Sequence, residues 1–261
     1  MNPTFADAPH GLLPAPETLA AGARAWAAPL LKGAGDDARA LYLYGSALRG
    51  DFDPKRSDVN LLLVVRALGI ERLEALAAAS AKLPKPALES ARTRYRPLIL
   101  PEMQLLDSAD VFPMDLLDLA RRRALLWGAD VLAGIAIERA DLRRHCEYEL
   151  RTKLVGLRQA YLQSGGGPAP SQELTVRAAA GAATLYRHLL TLAGESDEGT
   201  PEALARAVGA AYRVDGAALA APFIARGENT TPEDATLKRR FADFLAGLDA
   251  LVNAVDGLSG R

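Results

Sequence analysis

Two short stretches in the first quarter of the chain carry residues whose types and spacing suit phosphate and metal chemistry. Gly45 and Ser46 directly follow the apolar run Leu41–Tyr44. Asp58 and Asn60 stand two residues apart where the next apolar run begins. Glycine lets a backbone turn approach a bulky anion, and exposed N–H groups at a helix start attract phosphate. Alternate residues of a strand share one face, so Asp58 and Asn60 would meet the same ligand.

In the order strand, Gly-Ser turn, basic loop and acidic strand, these stretches resemble the signature of the nucleotidyltransferase superfamily. The resemblance implies that Gly45, Ser46 and Arg49 bind the triphosphate of a nucleoside triphosphate. It also implies that positions 58 and 60, both Asp in the superfamily, hold catalytic magnesium ions. Here the second position is Asn60. Its neutral carbonyl oxygen replaces a charged ligand of the kind that magnesium prefers.

The superfamily places a third carboxylate on a later strand, and the sequence offers two candidates. Residues 112–118 are predicted to form a strand, in which Asp115 resembles the third acid and Asp118 is the alternative. Three residues apart on an extended strand, the two would face opposite sides, so only one would enter the site. Residues 121–127 are predicted to form the helix that follows. Asp115 would then complete the magnesium ligands begun by Asp58 and Asn60.

Because Asn60 is neutral, two functional interpretations are open. Two-metal transfer requires ions about 3.5–4 Å apart. Disturbing even an outer-shell partner of a metal lowers the metal affinity or the activity by ~10–100-fold. The favoured prediction is a degenerate nucleotidyltransferase-fold protein that binds a nucleoside triphosphate or a partner without efficient turnover. The alternative is a magnesium-dependent enzyme that moves a nucleoside monophosphate to a hydroxyl of a small molecule or protein. Asp51, Asp53 or Glu102 would then replace the missing acid, and Asn60→Asp should raise activity.

The order of the predicted elements indicates an α+β fold, with a mixed β-sheet and helices in residues 1–136 and an all-α helical bundle in residues 137–261. Strands are predicted at 41–45, 59–66, 95–100 and 112–118, and helices at 15–31, 70–83, 139–163, 171–193, 201–213 and 232–256. Residues 164–170, rich in glycine and proline, are predicted to be a flexible break. This arrangement resembles the aminoglycoside nucleotidyltransferases.

In those enzymes an acid of the helical domain can act as general base on the acceptor hydroxyl, and the resemblance points to Glu147 or Glu149. Glu147 and Arg151 are also four residues apart, which is the spacing of a surface ion pair on a helix. The run Arg121–Arg123 has two interpretations, contact with phosphate or a solvated helix face.

The composition is that of an ordinary globular protein. The 261 residues are 49% hydrophobic and carry a formal net charge of −1, so long nucleic acid is not an expected partner. No apolar run reaches the roughly 18 residues of a membrane span and no signal peptide is recognisable, so a cytoplasmic location is expected. The single Cys146 excludes an internal disulfide, and with the adjacent His145 pointing elsewhere on a helix it does not predict a zinc site.

Overall fold

The computed structural model describes residues 11–48, 58–83, 94–230 and 232–260. The chain divides into two compact units, Pro3–Glu138 and Arg139–Arg261. The first unit contains, in chain order, α1 (Glu17–Ala34), β1 (Ala38–Tyr44), β2 (Asp58–Val65), α2 (Ile70–Ser80), β3 (Arg94–Pro101), α3 (Glu102–Leu106), α4 (Pro113–Arg121) and β4 (Arg123–Gly128). The predicted α+β fold, with a mixed sheet first and helices after it, is confirmed. The predicted domain division after residue 136 concerns independent folding and stays a prediction.

The sheet has the strand order β3-β2-β1-β4. β1 is antiparallel to both β2 and β4, whereas β2 is parallel to β3. One face packs against α1 and α2 through alternate residues, among them Leu41, Leu43, Val59, Leu61 and Leu63. Because side chains alternate along a strand, the intervening residues Tyr42, Tyr44, Asp58 and Asn60 belong to the opposite face. That opposite face carries the candidate site.

Helix and strand are exchanged between residues 112 and 128, compared with the sequence prediction. Residues 112–118 are not a strand, because α4 begins at Pro113, which occupies the first helical turn. Proline suits that position, since its fixed φ is already helical and its missing N–H has no helical partner there. The predicted helix at 121–127 is instead the strand β4, paired with β1.

A buried ion pair fixes the start of β4. The side chain of Arg123 is 4% exposed and donates to both carboxylate oxygens of Asp130, at 2.9 and 2.6 Å. The Tyr42 hydroxyl donates to the same carboxylate at 2.9 Å and accepts from the backbone N–H of Val131 at 2.8 Å. Burial would raise the pKa of Asp130, but the hydrogen bonds from Arg123 and Tyr42 outweigh it and lower that pKa. The prediction that Arg121–Arg123 forms a solvated helix face is therefore wrong for Arg123.

The two edges of the sheet are formed by β3 and β4. β3 carries Pro97 and Pro101, and proline has no N–H to donate. Beside β4, Leu12 forms a parallel bridge with Arg123, and the N–H of Leu13 donates to the Arg123 carbonyl at 2.8 Å.

The described part of the second unit is helical. It contains α5 (Arg139–Gln163), α6 (Pro168–Ala178), α7 (Ala182–Ala193), α8 (Pro201–Tyr212), α9 (Gly216–Gly227) and α10 (Asp234–Asp256). The predicted single helix at 171–193 is two helices, separated at Gly181, whose φ of +70° favours glycine. The predicted break at 164–170 is shorter than expected, because α6 begins at Pro168. α9 was not predicted.

Candidate functional site

The turn after β1 lies directly against the start of β2. β1 ends at Tyr44 and continues into the 3₁₀ turn Gly45–Leu48. Gly45 has φ +82°, and a Cβ placed on it would lie 2.7 Å from the side-chain amide nitrogen of Asn60. Glycine is therefore required here both for its backbone conformation and for the approach of Asn60. Ser46 lies half-buried in the same turn, whereas Arg49, Asp51 and Asp53 fall outside the described residues.

Asp58 is paired with two arginines of the neighbouring strand. Its Oδ1 lies 2.9 Å from Arg94 Nε and its Oδ2 lies 2.6 Å from Arg96 Nε. The parallel register of β2 and β3 places Arg94 opposite Asp58 and Arg96 opposite Asn60. Oδ1 is buried but accepts no well-directed hydrogen bond from the described residues, so charge and not hydrogen-bond geometry attracts Arg94 to it.

The described residues do not fit the predicted pair of magnesium ions. A metal bound by Asp58 would have to displace a guanidinium from each carboxylate oxygen, and Asn60 supplies no negative charge. Within the described ranges, no group of three or more His, Cys, Asp or Glu residues is arranged to hold a metal. The metal roles of Asp58, Asn60 and Asp115 stay predictions that these contacts do not favour.

Asp115 approaches the same end of β1 from a helix. It is exposed in the first turn of α4, and its charge, added to the larger effect of burial, raises the pKa of the Tyr44 hydroxyl. Tyr44 is paired with Asn60 across β1 and β2, so Asp115 is near the candidate site. The argument that Asp115 and Asp118 face opposite sides fails, because residues three apart on a helix lie on the same side.

Glu102 lies at the other end of the sheet. It follows β3 and pairs with Arg39 near the start of β1, with 3.2 Å between Glu102 Oε2 and Arg39 Nε. β2 runs seven residue steps from Asp58 to Val65, which is about 23 Å of extended chain. Glu102 therefore does not replace the acid missing at Asn60.

Glu147 belongs to the second unit, on α5. Its carboxylate contacts Arg151 Nε at 2.7 Å and Arg143 Nη1 at 2.8 Å, so the predicted ion pair with Arg151 is confirmed. These hydrogen bonds, chiefly that from Arg151, lower the pKa of Glu147. A carboxylate held in this way is a weaker base than a free one. The predicted role as general base is thus not favoured by its contacts.

Sequence reasoning missed Arg94 and Arg96 as members of the site. β3 itself was predicted, at 95–100, and its alternation puts the two arginines on one face. What the sequence does not state is that β3 lies parallel beside β2 with Arg94 opposite Asp58.

The sheet with a glycine turn against Asn60, followed by a helical unit, defines the class of fold as nucleotidyltransferase-like with a helical C-terminal region. The solved structure of spectinomycin adenyltransferase AAD(9) from Enterococcus faecialis with ATP and spectinomycin is similar. The match covers 92% of this chain and 99% of that chain, with a TM-score of 0.54 and 15% sequence identity. The predicted resemblance is confirmed for the fold.

Comparisons with protein-family models and with curated proteins found no match. No helix in the described parts of the chain has both the length and the apolar character needed to cross a membrane.

Proposed function

We propose that this protein binds a nucleoside triphosphate at the turn formed by Gly45 and Ser46 and does not transfer the nucleotide efficiently. The observation that carries the proposal is the pairing of Asp58 with two arginines. Asp58 is the one carboxylate of the β2 pair, it adjoins the glycine turn through Asn60, and both its oxygens contact arginines. Among the residues that the structure describes, such a site retains positive charge for phosphate but does not present the clustered acids that two-metal transfer requires.

The fold supports the nucleotide as ligand. The similar adenyltransferase was solved with ATP and spectinomycin, and its match extends over both units of this chain. The turn also brings the backbone of Gly45 against the side-chain amide of Asn60, so a ligand bound at the turn would lie beside the start of β2.

A matched pair of glycine variants tests the nucleotide site. Gly45 and Gly134 have nearly the same φ, +82° and +84°, but a Cβ at Gly134 meets nothing within 4 Å. Both Gly→Ala changes therefore introduce similar backbone strain, of about 1–2 kcal/mol. Only Gly45→Ala also displaces Asn60. Calorimetric titration with ATP and GTP should show affinity reduced about tenfold or more in Gly45→Ala and unchanged in Gly134→Ala.

Equal affinities in the two variants would reject the turn as the nucleotide site. Absence of binding to the unaltered protein at millimolar ATP and GTP, with and without magnesium, would reject the proposed function itself. The protein would then be a scaffold that uses the old fold for another partner.

The second candidate function is magnesium-dependent transfer of a nucleoside monophosphate to a hydroxyl. The fold match to an adenyltransferase solved with a small-molecule acceptor favours a small molecule over a protein as acceptor. Release of pyrophosphate from ATP, measured with a panel of small hydroxyl compounds, distinguishes the two candidates. Turnover that rises in Asn60→Asp would support the enzyme, whereas no turnover in either form would support binding alone.

A further inference from the structure

We infer that Arg94 and Arg96 form a cation pair that binds the polyphosphate of the nucleotide directly, without magnesium. This inference rests on the proposed function, because it names the groups that hold the ligand at that same site. Asp58 is then a positioning residue for the two guanidinium groups and not a metal ligand.

The register of the sheet creates the pair. β2 and β3 are parallel, with Asp58 opposite Arg94 and Asn60 opposite Arg96. Residues two apart on a strand project from the same face, so both arginines stand on the face that carries Asp58 and Asn60. Gly45 lies against Asn60, whose partner on β3 is Arg96, so the glycine turn and the arginines adjoin the same side chain.

Charge and exposure make this group a receptor for anions. Two guanidinium groups surround one carboxylate, so these three side chains sum to a charge of +1. The side chains of Arg94 and Arg96 are 63% and 68% exposed, whereas that of Asp58 is 22% exposed. An anion arriving from solvent therefore meets the cations first.

The chemistry of arginine suits a polyphosphate. Each arginine contacts Asp58 through Nε, and a guanidinium carries further N–H donors on its two terminal nitrogens. Guanidinium and phosphate form paired, charge-assisted hydrogen bonds, which provide the neutralisation that a metal ion would otherwise supply.

Calorimetric titration of the full chain with ATP, once in EDTA and once in magnesium chloride, tests the metal independence. ATP should bind in EDTA at least as tightly as with magnesium, because magnesium neutralises phosphate charge that the arginines would bind. Arg94→Gln and Arg96→Gln combined should weaken binding about tenfold or more. The matched control is Arg39→Gln, which breaks an exposed pair with Glu102 at the opposite end of β1 and should leave binding unchanged.

Asp58→Asn should change the affinity for ATP in opposite directions at an arginine site and at a magnesium site. Removal of this carboxylate leaves both arginines without their competing anion, so metal-free ATP should bind about threefold tighter or more. A magnesium site would instead lose its one certain carboxylate and bind ATP more weakly. The substitution keeps the side-chain shape, and circular dichroism checks that the variant is folded.

The remaining outcomes separate this inference from the proposed function. ATP binding that requires magnesium, or that survives the double arginine change, would overturn the arginine pair while leaving nucleotide binding intact. Inorganic tripolyphosphate that binds through the arginines when ATP and GTP do not would support the pair and overturn the nucleotide. Absence of binding by every one of these anions would overturn both.

Discussion

Two carboxylate–arginine groups stand on the same face of one sheet and differ in stoichiometry and in the burial of their arginines, whereas the two aspartate side chains are similarly exposed. Asp130 faces the single buried Arg123, with both of its oxygens accepting from that guanidinium. Asp58 faces two exposed arginines and makes one contact to each. The first group has no net charge, because one cation is paired with one anion. The second carries an extra positive charge towards solvent.

The difference shows how the same side chains serve structure in one place and binding in another. A buried pair cannot lose one member without leaving an unpaired charge in the interior, so it is costly to disturb. An exposed pair contributes little to stability, because water and salt replace the partner. Residues of the second kind are therefore available for a ligand at little cost in stability.

The largest expected effect comes from opening the buried pair. Arg123→Met removes the buried guanidinium and leaves the Asp130 carboxylate, whose side chain is 19% exposed, with the Tyr42 hydroxyl as donor but without its cation, which should lower the free energy of unfolding by about 3 kcal/mol. Urea unfolding followed by circular dichroism measures this loss. Arg94→Met is the matched control on the other group, and it should change the same free energy by less than about 1 kcal/mol. Similar losses in the two variants would contradict the comparison.

The two aspartates should respond unequally to the same substitution. Asp130→Asn keeps the shape but takes the charge from a carboxylate that accepts from Arg123 and Tyr42, so we expect a loss of about 2–3 kcal/mol. Asp58→Asn should leave the unfolding free energy within about 1 kcal/mol of the unaltered protein. Thermal unfolding of both variants in one buffer makes the comparison.

Acid should remove the advantage of Asp130. Its pKa is lower in the folded protein than in the unfolded chain, so its contribution is present above the ordinary aspartate pKa of about 4 and is lost as the pH falls through the folded value. The gap in unfolding free energy between the unaltered protein and Asp130→Asn should narrow below that pH. Glu147 and Glu228 also have lowered pKa values, but both proteins contain them. A constant gap would contradict the assignment.

Salt should produce the smallest effect. Arg96→Gln breaks an exposed contact, and we expect a stability loss below about 1 kcal/mol that vanishes in about 1 M sodium chloride. The loss in Arg123→Met should persist at the same salt concentration, because the pair is buried. Unfolding of both variants at low and high salt measures the contrast.

Part of this molecule could be predicted because local signals sufficed. The apolar run through Leu61–Val65 and the glycine turn at Gly45 locate β2 and the end of β1 from sequence alone. The exchange at 112–128 could not be resolved by apolar periodicity, since short helices and short strands share it. Pro113 was the available sign of a helix start. β4 begins with the buried Arg123, whose ion-pair partner Asp130 cannot be identified from the local sequence.

The residue types on β2 at the site were predicted, but the positive charge beside Asp58 was not. Asp58 and Asn60 follow from spacing, but the arginines beside Asp58 depend on the register of a parallel pair, which local sequence does not encode. α9 was missed although Asp215 caps it, accepting from the N–H groups of Ala217 and Ala218. An Asp before an alanine-rich segment was a usable signal for this helix.

The edges of the sheet have a consequence for crowded solutions. A sheet recruits a foreign strand when its rim offers an unbroken row of donors and acceptors. On β3 that row is interrupted by Pro97 and Pro101, and on β4 the segment at Leu12 and Leu13 already occupies part of it. Copies of this protein in a concentrated cell extract therefore find little free strand edge with which to pair, which opposes fibril growth. Arg94 and Arg96, at the other end of β3, remain exposed to solvent.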